Sequence, residues 1–281
     1  MGLTQPRRSL LVLSGGHPYE EAPFAAFIAS LGSETGGWEV THLIHPEAEE
    51  QVAAGAADAA DALLFYDMAG YTFADGTVTT KAPTAAFVAA IARRFASGRG
   101  AVMMHHAIAG WAEWPGWSEI VGGRFLYQPG KVRGRAVLDS GYRHDVDYTA
   151  VLVAEQMTGH PVLAGVPANF PVNDELYLGE VFEADVTPLI RARHDFVAGN
   201  FYSAAHAVAG RMFDNADWPH PPGSNLIAWT KPAGAAQIVY CQFGDGPKTY
   251  ENPAVRQVIA NALEWTTQPK ATEPMASARL L

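Results

Sequence analysis

The segment GRGAVMMHHAIAGW, residues 98 to 111, contains a short apolar run with glycines before it and two histidines after it. The run AVMM, residues 101 to 104, is typical of a buried strand in a parallel sheet, where both faces are covered. The preceding segment KAPTAAFVAAIARRFASGRG predicts a helix, because its apolar residues recur at helical spacing and Gly98 ends the pattern. His105 and His106 therefore stand at the carboxyl end of the predicted strand.

The same alternation of strand and helix patterns precedes this segment. Apolar strand patterns occur in SLLVLSGG, residues 9 to 16, in WEVTHLI, residues 38 to 44, and in DALLFYDM, residues 61 to 68. After the first strand, HPYEEAPFAAFIASLG predicts a helix with Pro18 near its first position and Gly32 after its end. Strands that alternate with helices of this length predict βαβ units and an α/β fold with an open parallel sheet.

The middle of the chain, residues 111 to 230, has a different sequence pattern. Tryptophans, prolines and glycines interrupt short β-like runs there. We interpret it as loops and extra strands added to the same domain. Strand patterns resume in SNLIAWT and AAQIVYCQFGDG, and a last helix begins with Asn252 as N-cap and Pro253 at its first position. The sequence predicts one domain over residues 1 to 266, followed by a mobile tail over residues 267 to 281.

The composition is that of a globular protein with a sizeable core, since 48% of the 281 residues are hydrophobic and 17% are charged. A formal net charge of -10 disfavours nucleic acid or an anionic membrane as partner, because both require a concentrated basic surface. The apolar run from Leu10 to Leu13 is too short for a signal peptide or a spanning helix, so we expect a soluble, cytoplasmic protein. The single cysteine, Cys241, excludes an internal disulfide, and its place in a predicted strand indicates a small buried apolar group.

The carboxyl ends of the predicted strands are the expected position of a ligand. The sequence contains no GxSxG elbow, HExxH helix, Walker loop or complete GxGxxG fingerprint that would indicate another position. The residues that follow the strands, beside the histidine pair, are Gly15, Gly16, His17 and Asp67. We expect them to contact substrate, with the two glycine amides holding an oxygen that becomes negative. His17 could equally hydrogen-bond its own loop.

His105 and His106 are the candidate catalytic residues, because imidazole, with an unperturbed pKa of about 6.5, moves protons readily near neutral pH. Adjacent residues point apart, and the sequence does not indicate which of the two acts or whether one only caps the turn. The segment NDELY adds Asp174, Glu175 and Tyr177. We expect Glu175 to orient an imidazole or to complement it as acid or base, and the other two to contact substrate, although turn formation explains Asp174 equally well.

Aromatic residues and further histidines complete the set of candidates. Trp111 is a candidate substrate contact, because aromatic rings stack on the apolar faces of sugars, but packing of the sheet edge is the commoner use of tryptophan. His17, the histidine pair and a carboxylate could also bind zinc or another divalent metal, although their spacing matches no recognised ligand signature. We expect the histidines among polar loop residues to be solvated: His144, His194, His206 and His220.

Five blocks of sequence are LVLSGGHPYE, DALLFYDM, GRGAVMMHHAIAGWAEWPGWSEIVGGRF, GHPVLAGVPANFPVNDELY and GAAQIVYCQFGDGPKTYENPAVRQVIANALEW. In content and order they resemble the ThuA-like family, the trehalose-utilization group. The resemblance implies a flavodoxin-like fold of the class I glutamine amidotransferase type, with an open, mostly parallel sheet and helices on both faces. It also implies a link to bacterial sugar metabolism.

The chain departs from the pattern of that family at two positions. Gln128 stands where the family often has a histidine after GGRF, and Asp245 follows Gly244 where the family often has a glycine-histidine pair. In an amidotransferase the turn after this strand would carry the catalytic cysteine, and here His105 or His106 occupies it. Glutamine hydrolysis through a thioester is therefore not expected.

These observations favour an enzyme of bacterial carbohydrate catabolism that acts on a small sugar, glycoside or keto sugar by histidine and carboxylate acid-base chemistry, as an isomerase, lyase or hydrolase. Two alternatives stay open, a non-catalytic sugar-binding or regulatory protein and a metal-dependent hydrolase. The expected partner is a small-molecule carbohydrate. A symmetric homodimer is the common default for the oligomeric state, which the sequence leaves open.

Overall fold

The structure of the protein is a computed structural model that describes residues 8–34, 37–156 and 159–268. Of the tail that we predict to be mobile, Thr267 is the last residue of a helix and Gln268 follows it. The rest of that tail lies outside the described residues.

The described part of the chain contains strands that we number in chain order. They are β1 (Arg8–Gly15), β2 (Trp38–Ile44), β3 (Ala62–Asp67), β4 (Tyr71–Ala74), β5 (Thr77–Thr80), β6 (Ala101–Met104), β7 (Gly123–Arg124), β8 (Gly130–Val132), β9 (Arg135–Val137), β10 (Gly141–Leu152), β11 (Asn169–Leu178), β12 (Glu180–Val181), β13 (Thr187–Arg193), β14 (Tyr202–Ser203), β15 (Leu226–Ala233) and β16 (Ala236–Cys241).

The α-helices are numbered in the same way. They are α1 (Glu21–Glu34), α2 (Glu47–Ala53), α3 (Ala56–Ala59), α4 (Ala85–Ala96), α5 (Pro115–Val121), α6 (Ala204–Val208), α7 (Pro247–Tyr250) and α8 (Pro253–Thr267). A short 3-10 helix, His105–Ile108, follows β6 directly.

One large sheet organises the molecule. Its strand order is β11-β10-β13-β15-β16-β6-β3-β1-β2, with β14 paired to β10. The pairs from β16 through β6, β3 and β1 to β2 are parallel, and the strands beyond β16 continue the sheet in antiparallel pairs. The α/β fold predicted from the alternation of strands and helices is confirmed.

Helices cover both faces of this sheet, and each face has its own apolar core. On one face α1 and α8 bury residues such as Phe24 and Val258 against β1, β3 and β6. On the other face α4 and α5 bury residues such as Phe87 and Trp117. Cys241 is fully buried at the end of β16, as expected for a small apolar group.

The helix caps that we predict near the C-terminus are confirmed. The Asn252 side chain accepts hydrogen bonds from the backbone N–H groups of Ala254 and Val255, and Pro253 is the first residue of α8. This arrangement satisfies N–H groups that have no partner within the helix.

The prediction for the ends of α1 is wrong. The helix begins at Glu21 rather than near Pro18, and it continues past Gly32 to Glu34. Its start is delayed because the preceding segment stays outside helical geometry, where the Tyr19 hydroxyl lies 2.9 Å from Ser14 Oγ at the end of β1. A glycine inside a helix is unfavourable by only about 1 kcal/mol, so Gly32 need not end it.

The middle segment supplies the antiparallel strands of the sheet. Within it, β10 pairs with β11 and β13, so the extra strands enlarge the main sheet instead of forming a separate layer. A small hairpin, β4 with β5, was not predicted and follows β3 at the carboxyl edge of the parallel strands.

Candidate active site

The turn after β6 holds His105 in an unusual backbone conformation. Its φ of 49° lies in the left-handed region, which residues other than glycine rarely adopt. The His105 side chain is fully buried, and its carbonyl oxygen accepts a hydrogen bond from the Tyr240 hydroxyl at 3.1 Å. A sharp turn between a strand and a helix is also how nucleophile elbows present a side chain.

Both ring nitrogens of His105 have partners. Nδ1–H donates to the carbonyl oxygen of Gln242, and Nε2 lies 2.7 Å from the Tyr177 hydroxyl oxygen and 3.3 Å from Glu175 Oε2. Burial by itself lowers the pKa of His105, but the nearby carboxylates of Asp245 and Glu175 outweigh it and raise this pKa to about 10. His105 is thus a buried cation that is held in place by its neighbours.

His106 has the opposite surroundings. Its ring stacks on the His17 ring, with centroids 3.5 Å apart and planes 14° apart. Nδ1 of His106 is buried without a hydrogen-bond partner, and the side chain lines a cavity. Burial, together with the neighbouring imidazoles, lowers the pKa of His106 well below its ordinary value, so the ring is neutral at pH 7.

His17 supports His106 from the loop after β1. Its Nδ1 lies 2.8 Å from the Pro18 carbonyl oxygen and its Nε2 lies 3.1 Å from that of Tyr66. Burial lowers the pKa of His17, although both carbonyls favour the charged ring. The loop can approach β3 closely because Gly16, with φ of 84°, has the Met68 carbonyl where a side chain would stand.

Glu175 on β11 connects two imidazoles. Its Oε1 lies 3.0 Å from His144 Nδ1, while its Oε2 faces His105. His144 stands at an irregularity of the β10–β11 ladder, where the pairing shifts between Arg143 and Val146. The extra residue of such a bulge re-aims neighbouring side chains.

His144 corrects the expectation that this residue is merely solvated. Its side chain is 42% exposed, yet it lines the cavity beside Glu175. The nearby carboxylates of Asp245 and Glu175 raise the pKa of His144 above its ordinary value despite partial burial. Its surroundings therefore favour the protonated form of this imidazole.

Asp245 supplies the second carboxylate of this network. Its Oδ1 lies 3.8 Å from His105 Nε2 and its Oδ2 lies 3.9 Å from His144 Nδ1. Burial opposes ionisation of Asp245, but the two imidazoles lower its pKa far below the ordinary range. Asp174 fixes the loop of Asp245, because its carboxylate accepts the backbone N–H groups of Gly244 and Asp245 at 3.0 and 2.9 Å.

These side chains surround a cavity of about 650 Å³, a size common for small-molecule sites. Histidines and carboxylates form its polar part, aromatic and aliphatic side chains form its walls, and none of the described lining residues is lysine or arginine. The polar residues named above that line it are His17, His106, His144, Glu175, Tyr177 and Asp245.

The β4–β5 hairpin and α6 form the outer walls. Phe73 of the hairpin stacks on Tyr71 with ring planes 13° apart and contacts Tyr127 edge-on. From α6, Ala204, Ala207 and Val208 contribute small apolar side chains to the lining. Such walls suit a ligand that has apolar faces and polar edges, as a sugar ring has.

Backbone strain is concentrated around the cavity. Among the described residues other than glycine, four with positive φ belong to it or flank it: Asp75, His105, Asp145 and Phe213. Each such conformation is unfavourable by about 1–3 kcal/mol, and residues of this kind cluster at functional sites.

A family model described as trehalose utilisation, ThuA, matches residues 9–266. This match spans nearly all of the described chain. The chain belongs to the ThuA family.

Solved structures of two proteins described as ThuA-like share the fold. One, from Parabacteroides merdae, is 14% identical with a TM-score of 0.65, and the match covers 96% of this chain and 93% of that one. The other, from Bacteroides uniformis, is 16% identical with a TM-score of 0.59, covering 95% and 94%. A protein from Salmonella typhimurium described as cytoplasmic is 11% identical with a TM-score of 0.50, covering 91% and 98%.

None of the curated protein sequences compared with this ThuA-family chain matches it significantly. Within the described residues, no helix has the length and apolar character needed to cross a membrane.

Some residues predicted to contact substrate lie outside the cavity of this ThuA-family chain. Asp67 is fully buried with Oδ2 2.9 Å from His45 Nε2, and Trp111 is fully buried in the core of the α4 face. Gly15 and Gly16 shape the loop of His17 without lining the cavity. A strand end places successive residues on opposite faces, so only some of them reach the ligand side.

Sequence reasoning missed the outer parts of the site. The hairpin carrying Phe73 has a visible signal, because Asp75 and Gly76 form a turn dipeptide between β-type residues. The sequence marks Asp245 only as a departure from the ThuA pattern, whereas the structure places its carboxylate in the cavity near His105 and His144. His144 has no local signal, since only the pairing of β10 with β11 brings it to Glu175.

Two sets of side chains in this site could bind a metal ion. They are His105, His106 and Glu175, and His144, Glu175 and Asp245, with the ligand atoms of each set within 4.8 Å of one another. Metal-bound histidines usually donate their second N–H to a carbonyl or carboxylate, as His105 does to Gln242. Both sets share Glu175, so they describe one region rather than two separate centres.

Proposed function

We propose that the chain is a sugar-processing enzyme that removes a proton from the carbon next to the carbonyl of an uncharged keto sugar, with His106 as general base and His144 as general acid. One observation carries the proposal: two imidazoles line the same cavity in surroundings that lower the pKa of His106 and raise the pKa of His144. Surroundings that push the pKa values of two titratable groups apart indicate their acid and base roles.

His106 accepts the proton through Nε2, since Nδ1 is buried. The electron pair of the broken C–H bond forms a carbon–carbon double bond, and the carbonyl oxygen takes a proton from His144. The product is a neutral enediol. Return of the proton to the former carbonyl carbon, with loss of the proton from the hydroxyl on the adjacent carbon, completes an isomerisation. In an elimination the carbonyl re-forms instead, its hydroxyl proton returns to His144, and a leaving group departs with the proton held by His106 from the next carbon along, on the side away from the carbonyl.

The carboxylates keep the acid charged. Glu175 contacts both His105 and His144, and Asp245 lies near both. Their negative charge stabilises the imidazolium of His144 until it donates, and the buried cation of His105 holds Glu175 in position. Stacking on His17 fixes the ring of His106.

The type of substrate follows from the lining of the cavity. A phosphate or a sugar acid would be repelled by the carboxylates of Asp75, Glu175 and Asp245, and the described lining offers no lysine or arginine to offset them. The family description, trehalose utilisation, supports a sugar, and the description of the Salmonella neighbour supports a cytoplasmic location.

Hydrogen exchange in D₂O tests the chemistry directly. A panel of neutral sugars, each oxidised to a ketone at one ring position, is incubated with the protein, and NMR follows loss of the proton next to the carbonyl. We expect exchange with at least one member, and a loss of about 100-fold or more in His106→Gln. The matched control is His220→Gln, which changes a histidine outside the cavity and leaves the rate unchanged.

Other outcomes decide between the alternatives. Binding of panel members without exchange would overturn the catalytic proposal and favour the sugar-binding protein. Full exchange in His106→Gln would overturn the assignment of the base.

A metal-dependent hydrolase is a second candidate, favoured by the two ligand sets that share Glu175. Elemental analysis of the purified protein and of Glu175→Gln tests it. Stoichiometric zinc or another divalent ion in the wild type, lost in the variant, supports this candidate. Proton exchange that persists in metal-free protein contradicts it.

A further inference from the structure

Two exposed apolar side chains stand at the mouth of the cavity. Phe213 is 58% exposed and Met212 is 52% exposed, more than the other large hydrophobic side chains of the described residues. Met212 lines the cavity itself. Exposed apolar groups at the edge of a pocket are typical of binding surfaces.

The backbone holds Phe213 in this position at an energetic cost. Its φ of 58° is in the left-handed region, where a bulky residue is an outlier. Its N–H donates to the Tyr142 hydroxyl at 3.2 Å, and Tyr142 lines the cavity. This hydrogen bond therefore links the strained residue Phe213 to a side chain that lines the cavity.

The ring of Phe213 is placed beside the proposed acid. It meets the His144 ring nearly edge-on, with centroids 6.0 Å apart, and the Tyr202 ring with centroids 5.6 Å apart. Arg143 fixes Tyr202 by a hydrogen bond from its guanidinium to the hydroxyl at 2.6 Å. The Phe213 ring thus packs against two aromatic rings, and a hydrogen bond from Arg143 holds one of them.

In the proposed reaction the keto oxygen of the substrate faces His144, and the Phe213 ring contacts that imidazole. A group attached to that end of the sugar can therefore reach Phe213 and its neighbour Met212, which lines the cavity. Apolar ring faces stack favourably on an aromatic side chain, and both sugar rings and aromatic aglycones present such faces.

We propose that Phe213 and Met212 form an outer subsite for a second ring, joined by a glycosidic bond to the sugar that reacts. The protein then prefers glycosides to free monosaccharides. This inference rests on the proposed function, because it takes the reacting ring to lie at His106 and His144.

Calorimetric binding of matched ligands tests the subsite. The probes are glucose, trehalose and phenyl glucoside, each before and after oxidation of one ring hydroxyl to a ketone. We expect the two-ring ligands to bind about threefold to tenfold more tightly than the matching monosaccharide. Phe213→Asn should abolish this preference and leave the affinity for the monosaccharide unchanged.

The variants are chosen so that the fold survives. Asparagine tolerates the left-handed conformation, so Phe213→Asn removes the ring while relieving strain. Met212→Gln is a second variant that should reduce the preference without altering a strained residue. Val197→Asn is the matched control, since it removes an exposed apolar side chain that does not line the cavity.

Equal binding of one-ring and two-ring ligands, or a preference that survives in Phe213→Asn, would overturn the subsite while leaving proton exchange by His106 intact. Absence of both binding and exchange across the panel would overturn the proposed function, and the subsite with it.

Discussion

His105 and His106 are adjacent in the chain but differ in charge. His105 is enclosed by the carboxylates of Glu175 and Asp245, whereas His106 faces His17 and a cavity. In a buried environment the nearest charges decide the ionisation state, because water no longer screens them. The sequence presents two identical side chains, and their surroundings raise the pKa of one and lower the pKa of the other.

The pKa values of His106 and His144 should lie on opposite sides of the ordinary value of about 6.5. We expect His106 to stay neutral well below that pH and His144 to stay protonated above it. Proton exchange should therefore decline as pH falls through the lowered pKa of His106, and as pH rises through the raised pKa of His144.

Histidine-selective NMR measures both titrations without substrate, and His106→Gln and His144→Gln assign the signals. Similar titration of both rings near 6.5 would contradict the acid-base assignment.

At the scale of elements, the loop after β1 depends on Gly16. A Cβ there would lie 2.2 Å from the Met68 carbonyl oxygen, and φ is 84°. We expect Gly16→Ala to lower the free energy of unfolding by at least about 3 kcal/mol, from left-handed strain plus displacement of backbone, and to disorder His17. Urea denaturation measures the loss.

Gly134→Ala is the matched control for this prediction. Gly134 has φ of 77°, but nothing lies within 4 Å of the added Cβ. Only the strain of about 1–2 kcal/mol should remain. An equal loss in both variants would show that close contact with β3 is unimportant.

The elements near the site differ in how well local pattern predicts them. β6 and α4 follow from apolar spacing, and α8 follows from its cap. The start of α1 does not, because contacts of the preceding loop with the end of β1 compete with helix formation. The bulge at His144 is likewise set by strand pairing, which no single segment encodes.

At the scale of the whole molecule, the net charge of -10 extends into the cavity, where Asp75, Glu175 and Asp245 face no described lysine or arginine. We expect phosphorylated sugars and sugar acids to bind at least about tenfold more weakly than their neutral counterparts. Competition calorimetry against a neutral sugar that binds measures the difference.

A substitution at the rim of the cavity tests whether charge, rather than shape, weakens the binding of anionic sugars. Thr77 lines the cavity and is exposed, so Thr77→Lys should improve binding of the anionic sugars, while the matched Thr77→Gln should not. Stronger binding of anionic than neutral sugars by the wild type would contradict the assignment of substrate charge.

The sequence by itself determined the α/β fold, the core faces of the helices, the burial of Cys241 and the carboxyl edge where the histidine pair stands. These follow from spacing along the chain, since strand and helix periodicities are local consequences of backbone geometry.

Only the tertiary structure decided how the site is assembled and which histidine faces the cavity. His105 meets Tyr177 across 72 positions of sequence and Gln242 across 137. It also decided that Asp67 and Trp111 are buried away from the cavity and that His144 belongs to it. Contacts between residues so far apart in sequence depend on the order in which strands pair and on the charges that burial brings together. No single segment of the sequence determines either of these.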